Sequence, residues 1–263
     1  MADDFEAGTV WLVGAGPGDP ELLTRKAERL IHSASVVFHD ALVGPAVLGL
    51  VPRMVRLIDV GKRSGRHSKD QEAINTLIVD AALAGERVVR LKGGDPAIFA
   101  RATEEIEACR TASVPVRICP GVTAASAAAA DLGLSLTLRG LARKLTFVTA
   151  QVRAGEPLDL DWQVLADPGA TLAIYMGKAA GPDVAAQLIA AGLPGDTPVA
   201  LVENASLPIV RRLVTRLDLL PLVGKSVFDN GPAVILVGRA LEPQCSPGDT
   251  HRGEAGVRRA VAN

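Results

Sequence analysis

Two glycine-rich loops, each containing the tripeptide Gly-Asp-Pro, carry residue types that could hold a small ligand against the backbone. They span residues 14–20 and 93–96, and each follows a short apolar run typical of a buried strand. Glycine leaves the backbone open to direct approach, because no side chain stands in the way. In open α/β sheets, loops at the carboxyl ends of strands line the crevice where ligands bind. We therefore predict that both loops form walls of one pocket; either loop taken alone also fits a tight turn with an aspartate N-cap.

The first of these loops indicates that the ligand carries no phosphate at this point. Residues 14–18 approach the dinucleotide fingerprint G-x-G-x-x-G, but the third glycine is Gly18, and Asp19 occupies the position that the fingerprint reserves for glycine. No Gly-Lys-Ser/Thr sequence follows, which excludes a P-loop. A carboxylate at the start of a helix repels a phosphate, so we expect a ligand that is cationic or neutral here.

Asp40 and a basic segment supply the other groups suited to catalysis or binding. Asp40 follows an apolar run at 36–38, where its carboxylate could reach the crevice as a general base or serve only as a turn residue. Residues 61–69 hold four permanent positive charges and His67, with no acidic residue among them. Such a segment either contacts an anionic ligand or is a solvated surface loop.

Composition narrows the class of protein. The 263 residues are enough for two domains, nearly half are hydrophobic, and a net charge of −1 argues against nucleic-acid binding driven by overall charge. No apolar run is long enough to cross a bilayer, and acidic residues near the start argue against a signal peptide, so we expect no membrane partner and a cytoplasmic location. Three cysteines without C-x-x-C spacing and four scattered histidines predict neither a disulfide framework nor a metal site.

Alternating strand and helix patterns predict the elements that position these loops. The first half of the chain predicts strands at residues 10–13, 36–38, 88–91 and 116–119. A helix is predicted at 96–112, with Asp95 as its N-cap. Another is predicted to begin at Ala124, where Thr123 is placed to cap it.

The same patterns predict an α/β protein of two domains. The first domain is expected at residues 8–136, a polar and basic linker at 137–144, and the second domain at 145–243. Consecutive strands late in the chain indicate hairpins, so we expect the second sheet to be mixed and the first to be parallel. Periodicity then vanishes, and residues 244–263 are predicted to be a disordered tail.

Taken together, six segments resemble the tetrapyrrole (class III) methyltransferase family, and its uroporphyrinogen branch most closely. The resemblance covers residues 8–242, and the segments occur in the family's order and at its spacing. The basic segment at 61–69 is characteristic of the uroporphyrinogen branch. The matching segments are residues 13–20, 60–67, 90–96, 120–123, 145–149 and 175–177.

The resemblance implies two α/β domains with a cleft between them, a homodimer, and methyl transfer to a tetrapyrrole rich in carboxylates. It implies S-adenosylmethionine as co-substrate and S-adenosylhomocysteine as product. By motif position, Asp40 is the implied proton acceptor and Lys62 the implied proton donor. The implied contacts to the co-substrate are Pro17, Gly93, Gly94, Asp95, Ile98, Thr123, Ala124, Met176 and Ala205. The implied contacts to the substrate carboxylates are Arg63, Arg66, His67 and Arg139.

The sequence departs from the family pattern at a few positions, and two other functions remain open. His39 and Ala41 flank Asp40 where the family usually has Tyr and Arg, Leu138 replaces a common His, and Ala205 replaces a frequent Gly. One alternative is a methyltransferase of the same fold that acts on a later corrin precursor, which the basic segment argues against. The other is a nicotinamide-dependent oxidoreductase, which Asp19 argues against. A binding protein without catalytic activity is possible only if Asp40 and Lys62 have no catalytic role.

Overall fold

Two five-stranded sheets organise the computed structural model, which describes residues 5–61, 71–151, 158–223 and 231–242. The first sheet is entirely parallel, with strand order β3-β2-β4-β1-β5. Its central strands are buried Val-rich runs, whereas the two edge strands are partly exposed. The strands are β1 (Val10–Gly14), β2 (Val36–His39), β3 (Arg56–Asp59), β4 (Val88–Lys92) and β5 (Val116–Cys119).

Helices cover both faces of this sheet, and their sequences explain where they lie. In the third helix Ile74, Ile78 and Ala82 recur every four residues and form the buried stripe. The first helix is capped by Thr24, whose Oγ1 accepts the N–H of Ala27 at 3.1 Å. The helices of this half are α1 (Arg25–Ser33), α2 (Pro45–Leu48), α3 (Gln71–Leu83), α4 (Ala102–Thr111) and α5 (Ala124–Leu132), with a 3₁₀ turn at Pro20–Leu22.

The second sheet is mixed, with strand order β6-β7-β10-β8-β9. Within the part of the chain that the structure describes, β6 and β7 are the only parallel pair of this sheet, and β10 runs antiparallel to both of its neighbours. As a result β7 and β8 end at the same edge of the sheet. The elements are β6 (Lys144–Thr149), α6 (Trp162–Leu165), β7 (Ala170–Tyr175), α7 (Gly181–Ala190), β8 (Pro198–Glu203), β9 (Arg211–Arg216) and β10 (Ala233–Val237), with 3₁₀ turns at Leu217–Leu222 and Arg239–Leu241.

Helix α5 joins the two halves. Ala125 and Ala128 are fully buried in a cluster with Val234 and Leu236 of β10, so the helix packs on the second sheet although its preceding loop belongs to the edge of the first. Its alanines leave little bulk between helix and strands, which permits a close approach. Among the described residues, no helix is both long and apolar enough to cross a bilayer.

The α/β architecture with one parallel and one mixed sheet is confirmed, and the predicted strands lie within one or two residues of those observed. The helix predicted at 96–112 is wrong at its start, because α4 begins only at Ala102, after Arg101 in a left-handed conformation (φ 55°). Asp95 caps a turn instead of a helix, since its Oδ1 accepts the N–H of Ala97 at 2.7 Å. The tail predicted at 244–263 lies outside the described residues.

Candidate active site

Three glycine loops at the carboxyl edge of the first sheet touch backbone to backbone. The N–H of Gly94 donates to the carbonyl of Gly16 at 2.7 Å, and the N–H of Gly16 donates back to the carbonyl of Gly94 at 3.2 Å. The third loop follows β5, and a Cβ atom at Gly14 would lie 2.6 Å from Cα of Gly121. No side chain fits at this junction. The two Gly-Asp-Pro loops therefore lie side by side, with a third loop beside them.

The aspartates of these loops hold the backbone and make its surface acidic. Asp95 Oδ2 accepts the N–H of Gly121 at 3.1 Å, which ties the loop after β4 to the loop after β5. Asp19 Oδ1 accepts the N–H of Glu21 at 2.9 Å. Two carboxylates beside a glycine surface favour a ligand with positive charge and disfavour a phosphate.

Asp40 follows β2 directly and is the partly exposed end of an otherwise buried ion network. Its Oδ2 is 3.3 Å from Nη2 of Arg90, and its Oδ1 accepts the N–H of Leu42 at 3.0 Å. Behind Arg90 stands Glu105 of α4, whose side chain is fully buried. Glu105 accepts from Nε of Arg90 at 2.9 Å and from Nζ of Lys92 at 2.7 Å. The carboxylate of Asp40 is thus held by Arg90 and by the N–H of Leu42 while it remains partly exposed.

The network keeps its charges in balance inside the protein. Arg90 and Lys92 are opposed by Glu105 and Asp40, which satisfies the requirement that buried charges be paired. Burial, and secondarily the neighbouring charge of Arg90, lowers the pKa of Lys92 below its usual value, while Glu105 acts in the opposite direction.

The second sheet presents strained loops to the same crevice. Met176 after β7, and Asn204 and Ser206 after β8, all have left-handed backbone conformations with φ between 55° and 67°. Such conformations are unfavourable for residues other than glycine, and they accumulate at binding sites. Asp131 of α5 holds the second loop by accepting the N–H of Ser206 at 2.7 Å, and Ser206 Oγ accepts the N–H of Asp19 at 3.1 Å.

Tyr175, the last residue of β7, connects the second sheet to the start of α5. Its hydroxyl lies 2.5 Å from Oγ1 of Thr123 and accepts the N–H of Ala125 at 3.2 Å. Its ring packs at 5.2 Å from the ring of Phe99 and at 5.8 Å from that of Phe147. Burial raises the pKa of the Tyr175 hydroxyl, so this group stays protonated and can donate.

The family described as Tetrapyrrole (Corrin/Porphyrin) Methylases matches residues 9–220. The chain belongs to this family. This tetrapyrrole methylase is 46% identical to a uroporphyrinogen-III C-methyltransferase of Paracoccus denitrificans over 94% of its own chain and 87% of that relative. It is 47% identical to a siroheme synthase of Gluconacetobacter diazotrophicus over 92% of its own chain, and it spans about half the length of that protein (51%).

A solved structure supports the same assignment. It is a uroporphyrin-III C-methyl transferase of Thermus thermophilus, complexed with S-adenyl homocysteine. The TM-score is 0.75 and the sequences are 40% identical, over 89% of this chain and 98% of that one. The predicted tetrapyrrole methylase fold is therefore confirmed.

The residues that the family resemblance implied fall into three groups in this tetrapyrrole methylase. Eight of the nine implied contacts to the co-substrate lie in the loops after β1, β4, β5, β7 and β8, and the ninth, Ala124, is the first residue of α5; the eight are Pro17, Gly93, Gly94, Asp95, Ile98, Thr123, Met176 and Ala205. Arg139 is exposed in the turn closed by the pairing of Leu138 with Ala142. Lys62, Arg63, Arg66 and His67 lie outside the described residues. The roles of all of them remain predictions.

Sequence reasoning missed the partners of Asp40 and the contacts of Tyr175. One signal was present for Glu105, because it occupies the buried face of α4 with Ala102 and Cys109, at a spacing where an apolar residue is expected. Arg90 gave a weaker signal as a charge inside a strand of valines and leucine. For Tyr175 no local pattern existed, since its hydrogen-bond partners lie 50 and 52 residues away.

Proposed function

We propose that this protein is an S-adenosylmethionine-dependent uroporphyrinogen-III C-methyltransferase. In this proposal it methylates uroporphyrinogen III at C-2 and C-7 and gives precorrin-2 by way of precorrin-1, a route that leads to cobalamin and sirohaem. The observation that carries the proposal is the acidic, phosphate-excluding glycine crevice with the Asp40 carboxylate at its edge. The names of the relatives support the substrate.

The residues present fit S-adenosylmethionine. Backbone at Gly93 and Gly94 can be approached directly, and Asp95 retains acceptor capacity beyond its two backbone hydrogen bonds. The carboxylates of Asp19 and Asp95 match a ligand that carries a sulfonium and an ammonium group and no phosphate. When bound, this co-substrate supplies a methyl group already activated by its positive sulfur.

The task left to the chain is to orient two molecules and to accept a proton. An electron-rich ring carbon of the substrate forms the new bond to the methyl carbon, while the electrons of the carbon–sulfur bond leave with sulfur. Orientation of this kind contributes about 7–11 kcal/mol to lowering a barrier. A proton is then lost from the tetrapyrrole, and we assign Asp40 as its acceptor because its carboxylate is fixed by Arg90 and remains accessible.

Substrate recognition follows from charge. Carboxylates of the substrate would pair with the cations implied by the family resemblance, Arg63, Arg66, His67 and Arg139, and Lys62 would donate a proton. Each charge-assisted hydrogen bond contributes about 1.5–3 kcal/mol, so a few are enough to fix one orientation. We further infer a homodimer in the cytoplasm, and light scattering that gives twice the mass of one chain would support the assembly.

The decisive experiment is anaerobic incubation of the purified protein with uroporphyrinogen III and S-adenosylmethionine, followed by mass spectrometry of the tetrapyrrole. Two added methyl groups are expected. Asp40→Asn should lower the rate by about 10²–10⁴-fold, the contribution typical of a positioned base. Asp80→Asn is the matched control, because Asp80 is an exposed carboxylate on α3 and should leave the rate unchanged.

Other outcomes would change the assignment. A single added methyl group would limit the reaction to its first half. An unmodified tetrapyrrole, with S-adenosylhomocysteine still bound tightly, would overturn uroporphyrinogen III as substrate and favour a later corrin precursor. Binding of NADH in place of S-adenosylhomocysteine would favour the oxidoreductase.

A further inference from the structure

Tyr175 is the only tyrosine in the chain, and its hydroxyl bonds to the start of α5. The hydroxyl oxygen accepts the N–H of Ala125, the second residue of that helix. Thr123 is the N-cap residue but makes no capping hydrogen bond with its side chain. The cap that the sequence assigns to Thr123 is thus supplied by Tyr175, from the end of β7.

The direction of the hydrogen bond between Thr123 and Tyr175 follows from counting donors. The Tyr175 oxygen already receives a proton from Ala125 N–H, and its own O–H needs an acceptor. Among the hydrogen bonds of the described residues, Oγ1 of Thr123 is the acceptor available to it, at 2.5 Å. We therefore assign Tyr175 as donor and Thr123 as acceptor. With its lone pair engaged, Thr123 keeps its own O–H proton free for another partner.

The surroundings hold Tyr175 in this role. Phe99, at the end of the second Gly-Asp-Pro loop, has a left-handed backbone (φ 50°), and its ring packs against the ring of Tyr175. Phe147 contacts the same ring edge-on. Because the ring is held by both neighbours, its hydroxyl has little freedom to turn away from Thr123.

We propose that Tyr175 is a positioning residue that acts through Thr123 on the bound S-adenosylmethionine. By donating to Oγ1 of Thr123, it fixes the orientation of the Thr123 hydroxyl and leaves that O–H group as a donor to an acceptor atom of the co-substrate. The inference rests on the proposed function, since it takes Thr123 as a contact of the co-substrate. Tyr175 itself touches neither the co-substrate nor the reacting carbon in this proposal.

A double-mutant cycle on the affinity for S-adenosylhomocysteine, measured by calorimetry, tests the proposal. Tyr175→Phe keeps the ring and removes only the hydroxyl, and it should weaken binding about fivefold, as expected for one hydrogen bond. Thr123→Ala should weaken binding at least as much. In the Thr123→Ala background, Tyr175→Phe should cost no further affinity, because the group through which it acts is gone.

A structural role predicts a different pattern. If Tyr175 only capped the helix, Tyr175→Phe would lower the melting temperature in both backgrounds, and its effect on affinity would be the same in both. Equal effects on affinity, or wild-type affinity in Tyr175→Phe, would overturn the proposal. Thr123→Ser keeps the hydroxyl and should bind more tightly than Thr123→Val, which keeps the shape but lacks the hydroxyl. Equal affinities of these two variants would overturn the proposal even if Tyr175→Phe failed to fold.

The double-mutant cycle tests the role of Tyr175 whatever the tetrapyrrole substrate is, because it measures only the affinity for S-adenosylhomocysteine. A wild-type protein that binds S-adenosylhomocysteine but does not methylate uroporphyrinogen III would refute the proposed substrate, and the cycle would still test Tyr175. A wild-type protein that does not bind S-adenosylhomocysteine would overturn both proposals.

Discussion

Where Gly14 and Gly121 meet the carbonyl of Gly94, the backbone leaves no room for a side chain, so substitution of Gly14 and Gly121 is strongly restricted. Gly121→Ala would place its Cβ 2.9 Å from Cα of Gly14 and closer still to the carbonyl of Gly94. Both groups are backbone and cannot move aside, so we expect a loss of about 2–3 kcal/mol in the free energy of unfolding in urea. Gly44→Ala is the control, because nothing lies within 4 Å of its added Cβ and its effect should be near zero. Equal stabilities of the two variants would contradict the close approach.

The buried thiol of Cys109 makes the free energy of unfolding depend on pH above pH 9. Burial, with a smaller effect of Glu105, raises the pKa of the Cys109 thiol from 9.0 to about 11. The unfolded chain ionises this thiol near pH 9 while the folded chain keeps it neutral, so the folded state binds the extra proton and loses stability between pH 9 and pH 11. The loss attributable to Cys109 is about 2–3 kcal/mol.

Urea unfolding at pH 8 and pH 11 in reducing buffer measures this loss. Cys109→Ala lowers stability at pH 8 because it leaves a cavity, but its decline between pH 8 and pH 11 should be shallower than that of the wild type. Parallel declines would show that the thiol does not contribute.

At the scale of elements, Glu105 joins helix α4 to strand β4. Glu105→Gln leaves Arg90 and Lys92 without their shared buried anion, and we expect a loss of about 3 kcal/mol in unfolding free energy. The neighbouring Glu104 pairs with Arg101 on the surface, with both side chains about half exposed. Glu104→Gln should therefore change stability by less than about 0.5 kcal/mol. A similar loss in both variants would show that burial of the network contributes nothing.

The elements themselves were largely predictable, because hydrophobic periodicity reports local structure directly. The strand predicted at residues 116–119 has the same bounds as the observed β5 (Val116–Cys119). The start of α4 was not predictable, because the Asp95 carboxylate accepts hydrogen bonds from the N–H groups of Ala97 and Gly121 and so does not cap a helix. Gly121 is 26 residues away along the chain. Partners that the fold brings together leave no trace in a local pattern, which is why the network behind Asp40 also went undetected.

At the scale of the whole molecule, Asp131 links the loops that face each other across the crevice. It accepts the N–H of Ser206 and an Nη2 proton of Arg212, and Ser206 in turn contacts Asp19. Asp131→Ala should destabilise the protein by about 2 kcal/mol, since hydrogen bonds to a charged group are lost. It should also speed amide exchange in residues 204–207 and weaken binding of S-adenosylhomocysteine several-fold.

Hydrogen exchange read by mass spectrometry, with Asp80→Ala as a surface control, would localise this effect. Unchanged exchange at 204–207 in the Asp131→Ala variant would mean that the loop keeps its shape without the carboxylate. Faster exchange throughout the chain would mean that the variant unfolds globally.

The capping of α5 by Tyr175 also has a consequence for folding during translation. Ribosomes add about 5–20 residues per second, and Tyr175 follows Ala125 by 50 residues. The helix is therefore translated seconds before its cap, and before the strands that bury its alanines. Nine residues are too few for a helix that is stable on its own. A pause in translation between residues 132 and 175 would prolong the exposure of an alanine face that the finished fold covers.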